Sequence, residues 1–210
     1  MRPPRMRVAL FGRSLAGFTL ANAMERAGHE VQMLSDPAEL ASFEALIIAV
    51  GDARLEATVE LLEPHVHHGL IVFHTCLSRG VQVLDPLETR GCVVAALAPF
   101  ALMRWAVTTL DELGETVVEL NITEFRGEAV ALSDAERPSF AARAYYAEML
   151  RRLHISAAVD ARFFPSAEEK PMVGEDMDTE EIIAAYRGAT DPGLRRSYVE
   201  VARRLGEVDG

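Results

Sequence analysis

Residues 7–17 read Arg7-Val8-Ala9-Leu10-Phe11-Gly12-Arg13-Ser14-Leu15-Ala16-Gly17, an apolar run of strand length that ends at a glycine and leads into a helical pattern. The pattern continues to Ala27, Gly28 ends it, and a second apolar run spans 30–34. This order predicts a strand, a tight turn, a helix and a parallel strand. Such a turn places backbone N–H groups and a helix N-terminus at the carboxyl end of the first strand, where a pyrophosphate binds. The opening of the chain therefore predicts a dinucleotide site.

The motif departs from the pattern G-x-G-x-x-G at its middle position, which is Ser14. The middle glycine lets the backbone approach the phosphates, so serine weakens the signal, although a small hydroxyl side chain fits and can donate to a phosphate. A plain tight turn is the alternative, and the complete β-α-β context favours the phosphate site over it. Arg13 either contacts a phosphate or is solvated.

Composition limits the possible partners and the cellular compartment. The 210 residues suffice for one domain with a single hydrophobic core, or for a domain of about 130 residues with a smaller additional segment. The 32 acidic and 21 basic residues give a net charge of −11, which disfavours binding to nucleic acid or to an anionic membrane. Two cysteines, no signal-peptide pattern and no apolar run of membrane-spanning length predict a cytoplasmic protein.

The rest of the first part alternates strands with helices, which predicts a doubly wound, mainly parallel α/β sheet. Further strands are expected at 45–50, 70–73, 92–97, 105–110, 122–125 and 129–132, and helices at about 53–62, 79–89 and 111–119. A near-continuous apolar run such as 45–50 is typical of a strand covered on both faces.

From Arg137 the pattern becomes helical, which puts a domain boundary near residue 135. We expect a nucleotide-binding domain over 1–135 and a reduced helical segment over 136–210. The segment should contain a helix at 139–153, a long loop at 155–177, a helix capped by Asp178 and Glu181 and ending at 187–188, and a last helix opened by Asp191-Pro192. A tail of this size buries little surface alone, so we expect it to pack on its own sheet or to form a homodimer.

Several short sequence stretches together resemble one protein family. They are the opening motif, 47–52, 72–76, 83–87 with Gly91, 97–100, 173–176 and Tyr198. In them the chain resembles a group of Rossmann-like proteins of the 6-phosphogluconate dehydrogenase-like superfamily whose C-terminal helical domain has no assigned function. The resemblance implies a nicotinamide nucleotide site, dimerisation through helices and an undefined reaction. The family's helical domain is usually longer.

Departures from the family remove polar groups at three positions. His74 is kept after the fourth strand, but Cys76-Leu77 replaces the family's Ser-Gly. Ala98 replaces a histidine before Pro99, and Ala141 replaces a histidine on the long helix. That helix also lacks the Lys/Asn pair of the superfamily's dehydrogenases. Three functions remain open: an NAD(P)-dependent oxidoreductase of unknown small-molecule substrate, a non-catalytic dinucleotide-binding sensor or regulatory protein, and a partner-binding dimer that has lost the nucleotide.

His74 and Cys76 are the catalytic candidates. Their side chains lie on one side of a strand at the carboxyl end of the sheet, where an imidazole can act as acid or base and a thiol as nucleophile. Packing or simple nucleotide contact is the alternative that we favour, because no acid or lysine is placed to orient either group. No metal site is expected, since the histidines at 65, 67 and 68 occupy a helix-ending turn and the cysteines lack ligand spacing.

The cofactor is expected to be NAD or NADP, if one binds. Asp36 at the end of the second strand would repel a 2′-phosphate and so favours NAD, but Asp36-Pro37 is equally a turn signal. The nucleotide-binding residues predicted from all these arguments are Gly12, Arg13, Ser14, Leu15, Gly17, Ser35, Asp36, Val50, Gly51, Asp52, His74 and Thr75.

Overall fold

The computed structural model describes residues 5–152 and 179–208, and its centre is a seven-stranded sheet. In spatial order the strands are β2, β1, β3, β4, β5, β6 and β7. The first five are parallel, β6 is antiparallel to β5, and β7 is parallel to β6. The strands span Arg7–Gly12 (β1), Glu30–Met33 (β2), Ala45–Ala49 (β3), Ile71–His74 (β4), Val93–Ala101 (β5), Arg104–Thr109 (β6) and Glu128–Ala131 (β7). The predicted doubly wound, mainly parallel sheet is confirmed.

Seven α-helices accompany the sheet in the described ranges. They are Leu15–Ala27 (α1), Leu55–Leu62 (α2), Asp85–Glu88 (α3), Glu112–Phe125 (α4), Arg137–Arg152 (α5), Thr179–Gly188 (α6) and Pro192–Val208 (α7). The C-terminal end predicted for α6 and the start predicted for α7 are confirmed. The predicted loop at 155–177 and the capping residue Asp178 lie outside the described residues. No helix of the described ranges is both apolar and long enough to cross a membrane.

The sheet is covered on both faces. Leu46 and Ile48 of β3 point to a core shared with α2, and Ile47 between them points to a core shared with α1 and α4. This alternation explains why β3 is apolar at every position. A third core joins α5, α6 and α7 to the ends of β5 and β6, with Phe100 and Phe140 packed edge to face at 4.9 Å.

Two predicted elements were wrong. Ile122–Phe125, predicted as a strand, is the last turn of α4, which ends at Arg126 with a left-handed φ of 57°. Val118, Ile122 and Phe125 are buried at helical spacing, so packing on the sheet overrides the strand propensity of the short run. The helix predicted over about 79–89 is a 3₁₀ turn at Val81–Leu84 followed by the single turn α3.

Arg137, the first residue of α5, joins the helical segment to the sheet. Its guanidinium is fully buried, and its N–H groups donate to the hydroxyl of Thr108 and to four backbone carbonyls, those of Cys76, Leu77, Ala96 and Ala106, at 2.6–3.3 Å. Burial lowers the pKa of Arg137 to about 10. The start of α5 is thereby tied to the segment after β4 and to the carboxyl edge of the sheet.

Candidate functional site

The turn between β1 and α1 is shaped by the end of β3. Gly12 has a φ of +101°, and a Cβ on it would lie 2.1 Å from the carbonyl oxygen of Ala49. The same oxygen accepts the backbone N–H of Ser14 at 2.9 Å. A Cβ on Gly17 would lie 2.1 Å from the Cβ of Ala49, so this glycine lets α1 pack closely on the strand. The first and last positions of the motif therefore require glycine for reasons visible in the structure.

Ser14 at the middle position caps α1. Its Oγ accepts the backbone N–H of Gly17 at 3.1 Å and lies 3.5 Å from the hydroxyl of Thr75. The first N–H groups of a helix have no acceptor inside the helix. Because Ser14 satisfies Gly17, the groups left without an acceptor among the described residues are those of Leu15 and Ala16. Two N–H groups at a helix N-terminus favour an anion there.

A cavity of about 420 Å³ opens over this turn at the carboxyl edge of the sheet. Of the residues predicted from the sequence, those that line it are Gly12, Arg13, Ser14, Leu15, Val50, Gly51, Asp52, Thr75 and Cys76. Gly17, Ser35, Asp36 and His74 do not line it. The cavity thus brings together the loops that follow β1, β3 and β4, as expected where parallel strands end at a common edge.

His74 is fully buried and structural in its contacts. Its Nε2 donates to the carbonyl of Gly80 at 3.0 Å, and its Nδ1 accepts the backbone N–H of Cys76 at 3.3 Å. Burial, followed by the charge of Arg137, lowers the pKa of His74 to about 3. A neutral imidazole with both nitrogens engaged shapes the segment after β4, which agrees with packing rather than with acid–base chemistry.

Cys76 lines the cavity, but its thiol donates to the carbonyl of Val50 at 3.2 Å. Burial, with a further contribution from Asp52, raises the pKa of Cys76 well above its ordinary value. A thiol that stays protonated is a poor nucleophile. Cys92 is also a free thiol, and burial raises its pKa to about 11.

Asp36 starts the 3₁₀ turn Pro37–Ser42, since its Oδ1 accepts the backbone N–H of Ala38 at 2.9 Å. The turn interpretation of Asp36-Pro37 is therefore correct, and the carboxylate is exposed at the end of β2. Among the described residues, no three His, Cys, Asp or Glu side chains are grouped as a metal ion would require. His67 instead contacts the carbonyl of Phe43 through Nε2 at 3.0 Å.

The helical segment also contributes to the cavity, and the sequence analysis missed this. Tyr145 on α5 and three residues of α6, Glu180, Glu181 and Ala184, lie in the wall. Tyr145 donates to Glu181 at 3.0 Å. No local pattern marks these residues as part of a site, because the contact depends on how α5 and α6 pack over the sheet edge. The remaining lining residues absent from the prediction are Ala16, Ala53, Arg54, Leu77 and Pro99.

The fold and the cavity define the class of this protein: a Rossmann-like α/β domain with a helical segment packed on the carboxyl edge of its sheet. Residues 33–99 match the model of a family described as Rossmann-like domain. None of the curated proteins matches the chain by sequence. The resemblance stated from the sequence motifs is confirmed at the level of the fold.

Solved structures with the same fold include dehydrogenases and reductases. A PanE/ApbA family ketopantoate reductase from Ralstonia eutropha has a TM-score of 0.59 and 12% identity over 98% of this chain and 100% of that chain. Arogenate dehydrogenase from Synechocystis has a TM-score of 0.56 and 14% identity over 95% and 85%. Prephenate dehydrogenase from A. aeolicus, solved with hydroxyphenyl propionate and NAD⁺, has a TM-score of 0.53 and 11% identity over 98% and 86%.

Proposed function

We propose that this protein binds a nicotinamide dinucleotide in the cavity over residues 12–16 and acts as an NAD(P)-dependent oxidoreductase. The observation that carries the proposal is the pair of first-turn N–H groups, those of Leu15 and Ala16, in the wall of a cavity at the carboxyl edge of the sheet. These groups suit the pyrophosphate, and Arg13 beside them adds positive charge. The nucleosides would extend toward the loops that follow β2, β3 and β4. A bound nicotinamide would supply hydride transfer.

The residues proposed to hold the dinucleotide fall into two groups. Those in the cavity wall are Gly12, Arg13, Ser14, Leu15, Val50, Gly51, Asp52 and Thr75. Ser35 and Asp36 lie at the end of β2, the strand paired with β1, where the ribose of an adenosine would reach them. Gly17 would contribute to binding indirectly, because it lets α1 pack closely on β3, and His74 would contribute by shaping the segment that follows β4. Asp36 favours NAD over NADP by charge.

Isothermal titration calorimetry with NAD⁺, NADH, NADP⁺ and NADPH tests the proposal. We expect binding of at least one of the four, with NADH tighter than NADPH, and binding of ADP-ribose as a fragment that keeps the pyrophosphate. Replacement of Asp36 by Ala should reduce the preference for NADH. Absence of heat with all four nucleotides and with ADP-ribose would contradict the proposal.

A non-catalytic, dinucleotide-binding sensor is the second candidate. It is favoured by the contacts of His74 and Cys76, which place a neutral, buried imidazole and a protonated thiol where the catalytic candidates were expected. Oxidation of bound NADH with added carbonyl or imine compounds separates the two functions, since a sensor would bind NADH without turnover.

We further propose that segment 136–210 pairs two copies of the chain in a reducing, cytoplasmic compartment. Ile183 on α6 and Val199 on α7 are about half exposed, and the two cysteines are free thiols. Sedimentation-equilibrium analysis tests the dimer. We expect twice the chain mass for the wild type and a shift toward the monomer for Ile183→Glu combined with Val199→Glu, and a wild-type monomer would contradict it.

A further inference from the structure

The segment that follows β4, residues 75–82, forms one side of the cavity and then leaves it. Residues 75–77 lie in the cavity wall. Residues 78–80 are outside the wall and lead to the 3₁₀ turn Val81–Leu84. Before that turn the segment has no regular secondary structure, so side chains from other parts of the chain must satisfy its backbone groups and hold its shape. The contacts of this segment therefore decide where the wall residues lie.

Asp134 caps the far end of this segment from the connection between β7 and α5. Its Oδ1 accepts the backbone N–H of Val81 at 2.9 Å, and its Oδ2 accepts that of Gln82 at 3.1 Å. The first N–H groups of a helical turn need acceptors from outside the turn, and Gly80, at the cap position, has no side chain to supply one. Asp134 therefore acts as the capping residue from a distant part of the chain.

The carboxylate of Asp134 lies directly against Gly80. A Cβ on Gly80 would be 2.0 Å from Cγ of Asp134, although the φ of Gly80, −82°, is one that any residue adopts. The neighbouring carboxylate, and not the backbone conformation, thus requires glycine at this position. The carbonyl of Gly80 also accepts Nε2–H of His74 at 3.0 Å. Gly80 therefore connects Asp134 to the end of β4.

A second residue of the same connection holds the near end of the segment. Arg137 donates to the carbonyls of Cys76 and Leu77 at 3.0 and 3.3 Å. Asp134 precedes Arg137 by three residues, and α5, which Arg137 begins, also reaches the cavity wall. The connection 134–137 therefore fixes the segment near both of its ends and ties it to a helix that forms another part of the wall.

The strand order indicates which end of a dinucleotide the segment would contact. The order is β2, β1, β3, β4, so the turn after β1 has the loop after β2 on one side and the loops after β3 and β4 on the other. With the pyrophosphate at this turn and the adenosine toward β2, the nicotinamide riboside extends toward residues 75–77. The segment after β4 would therefore contact the nicotinamide half of the ligand and not the adenosine half.

We propose that Asp134 is a positioning residue for the nicotinamide end of the dinucleotide. By capping Val81 and Gln82, it holds residues 75–77 where they contact the nicotinamide riboside. This assignment rests on the proposed function. Asp134 is not among the described residues of the cavity wall, so it acts through the segment and not by contact with the ligand. The pyrophosphate is bound at the turn after β1, which does not depend on Asp134.

Calorimetric titration of NADH and of ADP into Asp134→Ala tests the proposal. ADP keeps the adenosine and the pyrophosphate but lacks the nicotinamide riboside. We expect NADH to bind about tenfold more weakly than to the wild type, and the affinity for ADP to change by less than about twofold, because only the wall beside the nicotinamide is displaced. Asp134→Asn keeps one acceptor oxygen and should give an intermediate affinity for NADH. The fluorescence emission of bound NADH should shift toward that of free NADH in the same order.

Asp111→Ala is the matched control. Asp111 also caps a helix with its carboxylate, since Oδ1 accepts the backbone N–H of Gly114 at the start of α4 at 2.7 Å. It follows β6, whose last residue, Thr109, pairs with Ala95 near the start of β5, so Asp111 lies toward the edge of the sheet opposite the cavity. Loss of this cap should lower the free energy of unfolding and leave the affinities for NADH and ADP unchanged.

Gly80→Ala tests the same contact from its other side. The added methyl group would displace the Asp134 carboxylate, so this variant should weaken NADH binding about as much as Asp134→Ala does. Once the carboxylate is removed, the methyl group has room. The double variant Gly80→Ala with Asp134→Ala should therefore bind NADH with the affinity of Asp134→Ala alone.

Three results would overturn the proposal. They are wild-type affinity for NADH in folded Asp134→Ala, an equal loss of affinity for NADH and ADP in that variant, and additive effects of Gly80→Ala and Asp134→Ala on NADH binding. Each of them leaves the proposed function intact, since the wild type still binds NADH. Failure of the wild type to bind both NADH and ADP would instead contradict the proposed function.

Discussion

The carbonyl oxygen of Ala49 accepts the backbone N–H of Ser14 at 2.9 Å, and so the last residue of β3 holds the turn that follows β1. The same oxygen would be 2.1 Å from a Cβ on Gly12. One peptide group of β3 therefore positions the start of α1 and excludes a side chain at position 12. The shape of the candidate phosphate site depends on this contact between two neighbouring strands.

Gly12→Ala should lower the free energy of unfolding by more than the unfavourable positive φ alone would. The left-handed region costs an alanine about 1 kcal/mol, and the clash with the Ala49 carbonyl should raise the total loss to about 3 kcal/mol or more. Gly69 is the matched control, because it has a φ of +83° and open space within 4 Å of its Cβ position. Urea unfolding measures both variants, and equal losses for the two would contradict this explanation.

Arg137→Met should cost about 3–5 kcal/mol of unfolding free energy, because the carbonyls of Cys76, Leu77, Ala96 and Ala106 and the Thr108 hydroxyl lose their donor inside the protein. The control is Arg90→Met, which removes an exposed guanidinium paired with Glu63 and should cost less than about 1 kcal/mol. Denaturant unfolding gives both values. If Arg137→Met loses no more unfolding free energy than Arg90→Met, the buried guanidinium does not stabilise the fold through these hydrogen bonds.

His74 should make the folded protein sensitive to acid. Its pKa is about 3 when folded and 6.5 ordinarily, so the unfolded chain binds the additional proton between these values. The free energy of unfolding contributed by His74 is fully present above pH 6.5 and falls as the pH decreases, by about 1.4 kcal/mol per pH unit.

His74→Gln keeps one donor and one acceptor but does not titrate, so it isolates this effect. Urea unfolding of both proteins between pH 6.5 and 5 should show a steeper loss of stability with falling pH for the wild type. The difference between the two slopes should approach the value for one additional proton taken up on unfolding. The other histidines and the carboxylates are the same in both proteins. Parallel pH profiles would show that His74 is not the titrating group.

The sequence was sufficient for the parts of the fold that depend on local pattern. Spacing and propensity predict the glycines at 12 and 17, the fully apolar run of β3 and the start of α7 capped by Asp191, and the structure agrees with each of them. Ile122–Phe125 was predicted wrongly because four residues cannot distinguish a buried strand from a helical turn. The loops after β1, β3 and β4 met at one edge because parallel strands require it.

The composition of the cavity wall was less predictable. The sequence places His74 and Cys76 at the right sheet edge, but it does not show that Gly80 and Val50 offer carbonyls to them. Tyr145 and Glu181 are 36 residues apart, and only the packing of α5 against α6 brings them together. Tyr145 and Glu181 reach the cavity from helices packed over the sheet edge, and the hydrophobic spacing of those helices does not mark them as cavity residues.

The most direct test of the dinucleotide site is a calorimetric titration of NADH into Ser14→Asp and Ser14→Asn. Both side chains cap a helix well, so α1 and the fold should persist. Circular dichroism and thermal unfolding of each variant check this independently of NADH binding. Aspartate alone places a negative charge beside the N–H groups of Leu15 and Ala16. We predict that Ser14→Asn retains measurable NADH binding and that Ser14→Asp loses at least about tenfold in affinity, which corresponds to about 1.4 kcal/mol. Equal NADH affinity in the two folded variants would contradict a pyrophosphate site at this turn.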